Sequence, residues 1–267
     1  MATYISSLED LDNLYNDYSK ENGLPRIIHQ TYKDEHLPSH WLISRDNWLR
    51  YHPQWLYVLW TDEMLFELVN RYYPDFKEKF DSYPYFIQKV DAARVFMLHR
   101  YGGIYSDLDL APQRSLEDLS WDNLREEVYL LSNQGRFTNM FMMSQQKAPF
   151  WNKVIEEMRK PKIPWYLGVS RHFYILTTTG PFVIDRVANN YHKPIGFLPS
   201  SQFQPCSNCD PKPCQTENSY LVMLDGGSWG SWDSQIIGGC CCHWDKLILI
   251  GIIIIVIVAI LIYIYFY

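Results

Sequence analysis

The stretch from residue 83 to residue 109 constrains the fold of this chain most, because it predicts a helix, a stop and a short strand in direct succession. Gly102 and Gly103 follow the last apolar residues of the helical pattern, where a left-handed helix C-cap requires a residue without a Cβ atom. Ile104 and Tyr105 then supply β-favouring side chains. A helix that returns the chain directly to a strand is typical of an α/β fold.

Two carboxylates, Asp107 and Asp109, stand two residues apart directly after this strand. Residues two apart on an extended backbone share a face, so both carboxylates can point at one cation. Two hard oxygen donors that leave room for phosphate oxygens suit magnesium or manganese bound to a diphosphate. The spacing therefore indicates an enzyme that transfers a sugar from a nucleotide sugar.

An isolated Asp-x-Asp pair is a weak signal, since two acids in a turn before a proline are common. The preceding helix strengthens it, because Asp91 and Arg94 lie three residues apart and share one helix face. The alternative for this pair is a surface ion pair worth a few tenths of a kcal/mol. The apolar neighbours Val90, Ala93 and Met97 argue against a solvated face and favour a functional pair.

Strand and helix patterns alternate through the first third of the chain. Strands are predicted over residues 26–31 and 55–60, and helices end before Pro53 and before Pro74. This alternation up to Asp109 fits a Rossmann-like half that binds a nucleotide at the ends of its strands. Later strands and helices are predicted over residues 127–132, 140–144, 149–160 and 181–190.

With these motifs the chain resembles glycosyltransferase family 32, the Asp-x-Asp sugar transferases. The block from Gln88 to Asp109 is the most specific part of the likeness, and the supporting stretches are residues 24–32, 59–63, 139–144, 178–181 and 227–229. The resemblance implies a GT-A fold, a retaining transfer and a divalent cation, manganese or magnesium. It further implies GDP-mannose as the nucleotide sugar, a lipid-linked acceptor such as inositol phosphoceramide, and a possible regulatory subunit.

The resemblance also assigns roles to individual residues. Asp109 is expected to be the main metal ligand, Asp107 to bridge to the ribose or donor sugar, and Asp225 is a candidate third ligand. Asp91 and Arg94 are expected to hold sugar hydroxyls and the donor phosphate, which completes a catalytic set with the two metal-binding aspartates. The other expected donor contacts are Gln30, Thr31 and Tyr32 at the nucleotide base, Asn139 at the transferred sugar, and Ser228 and Trp229 over the diphosphate.

Length and composition favour one globular domain followed by a tail. The expected parts are a helical extension at residues 1–23, a catalytic domain at 24–239, a cysteine-rich juxtamembrane segment at 240–246 and a hydrophobic segment at 247–267. The formal net charge is −6 and no basic stripe occurs, which argues against a nucleic-acid partner.

Residues 247–267 contain no charged side chain and, as a helix, could cover the ~30 Å thickness of a bilayer core. The sequence therefore predicts a single-pass C-terminal membrane anchor. The N-terminal residues lack the basic and apolar regions of a signal peptide, which would leave the catalytic domain on the cytosolic side. The family resemblance instead implies a lumenal site in the Golgi or another endomembrane, so the side of the membrane stays open.

All six cysteines lie late in the chain, at positions 206, 209, 214 and 240–242. They would stay reduced in the cytosol and could pair in an oxidising compartment. A zinc site formed by Cys206, Cys209, Cys214 and His243 is a less favoured alternative, because the spacings match no strong template. Residues 190–225 are the least regular part of the chain, and we expect a lid or an acceptor-binding loop there.

Three alternative functions remain open. The acceptor could be a protein-linked or oligosaccharide glycan. A phosphatase of the haloacid dehalogenase type also begins with a strand and an Asp-x-Asp pair. In that class Thr or Val normally stands two residues after the second aspartate, where this chain has Ala111. The chain could also be a membrane glycan-binding protein without turnover. His29, inside an apolar strand, is interpreted as a hydrogen-bonded core residue rather than a catalytic one.

Overall fold

A computed structural model describes residues 3–18, 23–119, 125–133, 135–161, 163–164, 166, 168–207, 209–226, 230–243, 248, 254–255 and 258. Its strands are β1 (Thr3–Ile5), β2 (Ile27–Thr31), β3 (Leu56–Trp60), β4 (Gly103–Ser106), β5 (Leu110–Pro112), β6 (Val128–Asn133), β7 (Arg136–Ser144), β8 (Gly196–Pro199) and β9 (Leu221–Met223). Its helices are α1 (Leu8–Tyr18), α2 (Ser39–Tyr51), α3 (Asp62–Tyr72), α4 (Lys77–Asp81), α5 (Phe86–Tyr101), α6 (Pro149–Arg159), α7 (Arg171–Thr178), α8 (Pro181–Asn189), α9 (Ser200–Phe203) and α10 (Trp232–Cys242).

The main sheet has the strand order β1-β3-β2-β4-β7-β6-β8. The pairs β1–β3, β3–β2, β2–β4 and β6–β8 are parallel, whereas β7 runs antiparallel to both β4 and β6. A second, two-stranded sheet pairs β5 with β9 antiparallel. The predicted α/β class is confirmed, and the main sheet is mixed with mostly parallel pairs.

Helices and loops cover both faces of the main sheet, so its central strands are apolar without alternation. All five residues of β3 are buried. Val58 and Trp60 belong to the core cluster that includes Phe96 and Trp151, whereas Tyr57 belongs to the second cluster. Successive side chains of a strand point to opposite faces, which explains this division.

The glycine stop after α5 is required sterically. Gly102 and Gly103 have φ angles of +69° and +88°. A Cβ atom on Gly102 would lie 2.7 Å from the backbone nitrogen of Gln146, and one on Gly103 would lie 2.5 Å from the carbonyl oxygen of Ile27. The chain can therefore pass from α5 into β4, between β2 and β7, only without side chains at these two positions.

The chain divides into two units, Met1–Gly227 and Ser228–Tyr267. Both sheets belong to the first unit, and α10 belongs to the second. Within residues 1–23 the expected helix is present as α1, but β1 precedes it and adds an edge strand to the main sheet beside β3. A three-residue strand is too short to show a period in the sequence.

The membrane anchor expected at residues 247–267 is corrected by the structure. No helix among the described residues combines the length and the apolar character that crossing a bilayer requires. Of the expected anchor, only Ile248, Ile254, Ile255 and Val258 are described, and its other residues lie outside the described part. The prediction of a single-pass C-terminal anchor is therefore contradicted within the described part of the chain.

Candidate active site

The parallel strands β2, β3 and β4 end at the same edge of the main sheet, and the Asp-x-Asp pair lies there. The backbone nitrogen of Asp107 donates to the carbonyl oxygen of Met140 at 2.8 Å, which holds the residue beside β7. The carbonyl oxygen of Asp107 accepts from the backbone nitrogen of Leu110 at 3.1 Å. This turn places Asp109 between β4 and β5, where ligands of open α/β sheets bind.

Asp109 contacts the segment that follows β9. Its carbonyl oxygen accepts from the backbone nitrogen of Leu224 at 2.7 Å. Gly226 lies so close to the carboxylate that an added Cβ atom would stand 1.9 Å from Oδ2. The other carboxylate oxygen, Oδ1, is buried and has no hydrogen-bond partner among the described residues. A buried oxygen without a partner is costly unless a ligand satisfies it.

The guanidinium group of Arg94 joins the helix α5 to the Asp-x-Asp pair. One terminal nitrogen lies 3.3 Å from Asp107 Oδ1 and the other lies 3.2 Å from Asp91 Oδ1. It also donates to the carbonyl oxygen of Asn139 at 2.8 Å and lies 4.6 Å above the Tyr105 ring. Only 5% of Arg94 and 5% of Asp91 is exposed, so the alternative of a surface ion pair is wrong.

Asp91 is held by three partners. Besides Arg94, the side-chain amide of Asn139 donates to Oδ1 at 3.0 Å, and the hydroxyl of Thr179 donates to Oδ2 at 3.2 Å. One residue earlier, Thr178 accepts from the side-chain amide of Gln88 at 2.6 Å. The Thr-Thr-Gly-Pro stretch therefore fixes α5, and its role in positioning Asp91 is not visible in the sequence pattern.

Burial raises the pKa of the acidic groups at this site. Desolvation raises the pKa of Asp91 to about 6, although the charge of Arg94 opposes the shift. Desolvation and the neighbouring charge of Asp107 raise the pKa of Asp109 to about 7. Desolvation also raises the pKa of Asp107, against the charge of Arg94 and a hydrogen bond from Tyr105. A cation bound by Asp107 and Asp109 would oppose the shifts of these two carboxyl groups, because opposite charge favours the ionised form.

The expected base-contacting residues differ in their placement. Gln30 is fully buried, and its amide bonds with the Tyr57 hydroxyl (2.7 Å), the Ser44 hydroxyl (3.0 Å) and the Asp107 carbonyl oxygen (3.2 Å). The expected contact between Gln30 and a nucleotide base is therefore corrected. The Gln30 amide is buried inside the fold, where it donates to the backbone of the Asp-x-Asp turn. Thr31 reaches the same turn through the Tyr105 hydroxyl at 3.2 Å.

Tyr32 is partly exposed at the end of β2 and packs edge-on against Trp41, with ring centroids 5.6 Å apart. The indole nitrogen of Trp41 donates to the carbonyl oxygen of Asp225 at 3.1 Å. Tyr32 and Trp41 therefore connect the edge at which β2 ends with the segment beside Asp109.

The third metal ligand stays a prediction. The Asp225 side chain is exposed. Among the described residues, the carboxylate oxygens of Asp107, Asp109 and Asp225 do not all lie within 4.8 Å of one another. Ser228 and Trp229, expected over the diphosphate, lie outside the described residues. The residues present fit a divalent cation because Asp109 offers a buried, unsatisfied carboxylate oxygen of the hard type that such ions prefer.

Two other expectations are settled by side-chain contacts. A disulfide joins Cys206 to Cys214, so the zinc alternative is wrong because both sulfur atoms are used in the bond. His29 is fully buried, its Nδ1 accepting from the indole nitrogen of Trp60 at 3.0 Å and its Nε2 lying 2.9 Å from the carbonyl oxygen of Gly102. Desolvation lowers its pKa to about 4, which confirms a neutral core histidine.

Comparison with known proteins now adds to this geometry. Residues 38–131 match the family model described as "Glycosyltransferase sugar-binding region containing DXD motif". Inositol phosphoceramide mannosyltransferase 3 of Schizosaccharomyces pombe is 30% identical over 262 residues, which cover 94% of this chain and 69% of the relative. Mannosyl phosphorylinositol ceramide synthase CSH1 of Saccharomyces cerevisiae is 34% identical over 215 residues, covering 80% and 55%. The chain belongs to glycosyltransferase family 32, the DXD-containing sugar transferases.

Membership of this family confirms the predicted class of enzyme, a glycosyltransferase, and removes the phosphatase alternative. The chain spans about half the length of the curated S. cerevisiae relatives, 55% of CSH1 and 44% of the synthase SUR1. Among solved structures, the PaToxG glycosyltransferase aligns over 68% of this chain and 74% of its own, at 13% identity and a TM-score of 0.44.

The close approach of Gly226 to Asp109 gives a test of the site. We expect Gly226→Ala to reduce turnover about 100-fold, because the added Cβ atom displaces the carboxylate and a misplacement of about 1 Å can have that effect. The melting temperature should fall only modestly, since the Gly226 backbone is compatible with alanine and the three nearest atoms, Cβ at 2.9 Å among them, all belong to the Asp109 side chain. Gly238→Ala is the control, because its Cβ atom would meet nothing within 4 Å. Unchanged turnover in Gly226→Ala would contradict the packing described here.

Proposed function

We propose that the chain is a divalent-cation-dependent, retaining mannosyltransferase with a GT-A-type fold, which moves mannose from GDP-mannose to the inositol of a phosphate-bearing ceramide lipid. The observation that carries the proposal is the array at the strand ends, in which Asp91 and Arg94 are buried and Asp107 and Asp109 are partly exposed. The names of the two relatives, a mannosyltransferase and a mannosyl synthase of inositol phosphoceramides, support the transferred sugar and the acceptor class. Tyr32, partly exposed at this edge, offers a ring for the nucleotide base.

The chain's own residues account for much of the expected chemistry. A cation at Asp107 and Asp109, when bound, supplies positive charge against the departing diphosphate. Arg94 adds a fixed positive charge beside it, and Asp91 together with Asn139 fixes the plane of the guanidinium group. Little reorganisation is then needed as negative charge develops on the leaving group, which is the main source of such catalysis.

The positions of the carboxylates bear on the stereochemical course. Asp91 is engaged by Arg94, Asn139 and Thr179, so it is not free to attack the sugar. We therefore infer attack by the acceptor hydroxyl on the same face that the diphosphate leaves. The bond between the anomeric carbon and the phosphate oxygen breaks, the bond to the acceptor oxygen forms, and the hydroxyl proton passes to the leaving phosphate.

A donor-hydrolysis panel tests the proposed function. Purified protein is incubated with GDP-mannose, UDP-glucose and UDP-galactose, with MnCl₂ or with a chelator, and free sugar is measured. We expect release of mannose from GDP-mannose that depends on Mn²⁺ and falls at least about 100-fold with the chelator. Release that persists with the chelator would contradict the metal dependence. No release from any donor, together with retained binding of mannosides, would favour the glycan-binding alternative.

A parallel assay tests the acceptor class. Mannose transfer to inositol phosphoceramide is compared with transfer to an oligomannoside, because the glycan-acceptor alternative predicts the opposite preference. Labelled product released by an α-mannosidase, and not by a β-mannosidase, would support retention of the α-configuration of the donor. The regulatory subunit stays a prediction from the family resemblance.

A further inference from the structure

The segment that connects α6 to α7 is positively charged in an acidic chain. Residues 158–184 contain no aspartate or glutamate, although the chain has a formal net charge of −6. The cations of this stretch are Arg159, Lys160, Lys162 and Arg171. Between the last two of them, residues 163–169 carry no charged side chain and include a tryptophan and a tyrosine. Cations that flank an uncharged, aromatic stretch are typical of segments that lie at the surface of an anionic bilayer.

The structure exposes the apolar part of this segment. Val169 is 83% exposed and Tyr166 is 58% exposed. Arg159 is paired with Asp75, so its charge is already matched. The remaining exposed or partly exposed residues of the segment are small, apolar or cationic, and with the two apolar side chains they form what we call the α6–α7 surface: Lys160, Pro164, Tyr166, Gly168, Val169 and Arg171.

The helix α7 holds this surface in a fixed relation to α5. The guanidinium group of Arg171, the first residue of α7, lies 4.9 Å from the centre of the Tyr85 ring, and Tyr85 directly precedes α5. At the other end of α7, the Thr179 hydroxyl donates to Asp91 Oδ2 at 3.2 Å. The contacts come in the same order along both helices, so α5 and α7 run parallel and begin at the same end.

This common end lies beyond the edge of the main sheet at which the site is found. Arg94 is level with the end of β4, since its guanidinium group lies 3.3 Å from Asp107 Oδ1. The residues after Arg94 return to β4 through Gly102, so those before it extend past the sheet. At ~1.5 Å per residue, Tyr85 stands ~9 Å beyond Asp91 and ~14 Å beyond Arg94 along the helix. Arg171 and the α6–α7 surface therefore border the outer end of the site.

A lipid acceptor requires a bilayer near this end. Its inositol must reach the array around Asp91 and Arg94, while its ceramide chains stay in the membrane, because each CH₂ group withdrawn from the bilayer costs ~0.8 kcal/mol. Exposed apolar side chains beside such a site lower the free energy of the contact when they enter the interface, and each nearby cation adds ~1 kcal/mol at an anionic surface.

We propose that the α6–α7 surface is a peripheral docking surface for an anionic bilayer. Tyr166 and Val169 enter the headgroup region, Lys160 and Arg171 face the anionic headgroups, and the outer end of the site is thereby presented to the lipid acceptor. This inference rests on the proposed function, which it deepens by stating how the site meets its acceptor. It requires no membrane-spanning helix.

Hydrogen–deuterium exchange read by mass spectrometry tests the proposal on the full chain. The probes are vesicles of phosphatidylcholine alone and of phosphatidylcholine with phosphatidylserine. We expect the peptide that contains Tyr166, Gly168 and Val169 to exchange at least about tenfold more slowly with the anionic vesicles. With phosphatidylcholine alone the slowing should be about threefold or less, because the attraction of the cations is absent. The signal belongs to one peptide, so contacts of other parts of the chain with the vesicles do not contribute to it.

A double variant, Tyr166→Ser with Val169→Ser, should lose most of this slowing, because it removes the apolar side chains that enter the interface. Its melting temperature should stay close to that of wild type, since both side chains are exposed. Phe197→Ser is the matched control, because Phe197 is 69% exposed but lies on β8. It should exchange like wild type in the α6–α7 peptide.

Four outcomes would overturn the proposal. Unchanged exchange with the anionic vesicles would do so, and would leave a protein partner as the occupant of this surface. Equal slowing by both kinds of vesicle would refute the role of the cations. Slowing that survives in the double variant, or that Phe197→Ser also removes, would refute the role of Tyr166 and Val169. Failure of the proposed function would appear separately, as absent GDP-mannose hydrolysis, because the exchange measurement needs no turnover.

Discussion

Asp109→Asn is expected to reduce GDP-mannose turnover by at least about 10³-fold, because the amide keeps the shape of the side chain but removes the charge that a divalent cation requires. The fold should not suffer. Burial and Asp107 raise the pKa of Asp109 to about 7, so the ionised carboxylate opposes folding at pH 8. Without that charge, the free energy of unfolding should rise by about 1–2 kcal/mol at pH 8 with a chelator present.

The pH dependence of this gain follows from the direction of the shift. A carboxyl group whose pKa is higher in the folded state stabilises the fold below its unfolded pKa of about 4 and loses that contribution as the pH rises through about 7. The advantage of Asp109→Asn over wild type should therefore shrink at pH 5 and disappear only below about pH 4. Asp17→Asn, at an exposed position on α1, is the control. Turnover within tenfold of wild type, at unchanged stability, would refute the role of Asp109.

Arg94→Met is expected to lower the free energy of unfolding by about 3–5 kcal/mol at pH 8 and to abolish turnover. The substitution leaves the buried Asp91 and the partly buried Asp107 charged, without the cation that lies 3.2 and 3.3 Å from them. The loss should shrink at pH 5, because both pKa values rise further without Arg94 and protonation then removes the unpaired charge. Urea denaturation at pH 8 and at pH 5 measures the two free energies of unfolding, and the donor-hydrolysis assay measures turnover.

A double variant separates the ion pair from simple loss of packing. Asp91→Asn combined with Arg94→Met should recover part of the lost stability but no turnover, because one uncompensated charge is gone while the site remains incomplete. Lys77→Met is the matched control, since Lys77 pairs with Asp81 on the exposed face of α4 and should change stability by about 0.5 kcal/mol or less. Additive losses in the double variant would contradict the coupling between Asp91 and Arg94.

Local patterns predicted the centre of this site because its elements follow one another in the chain. The helix, the paired glycines, the strand and the Asp-x-Asp pair occupy consecutive residues and appear as α5, β4 and the turn after it. The cap of α3 is equally local, with the Thr61 hydroxyl accepting from the backbone nitrogen of Met64. Such signals depend on spacing and backbone chemistry, which a sequence displays directly.

Contacts between distant parts of the chain could not be predicted in this way. Thr179 is 88 residues from Asp91, whose carboxylate it binds. Gly226 follows β9 and meets Asp109 only because β9 pairs with β5. Gln30 was expected at a nucleotide base, yet it lies inside the fold, since the polar residue of a strand buried on both faces must find internal partners. Each of these positions depends on strand order, which periodicity does not reveal.

The direct measurement of the central claim is the affinity for GDP with and without Mn²⁺, determined by calorimetry for wild type and for Asp109→Asn. The account predicts that wild type binds GDP at least tenfold more tightly with MnCl₂ than with a chelator, and that Asp109→Asn shows no such difference, because a cation held by Asp107 and Asp109 links the protein to the diphosphate. Equal affinity of wild type under both conditions would contradict it.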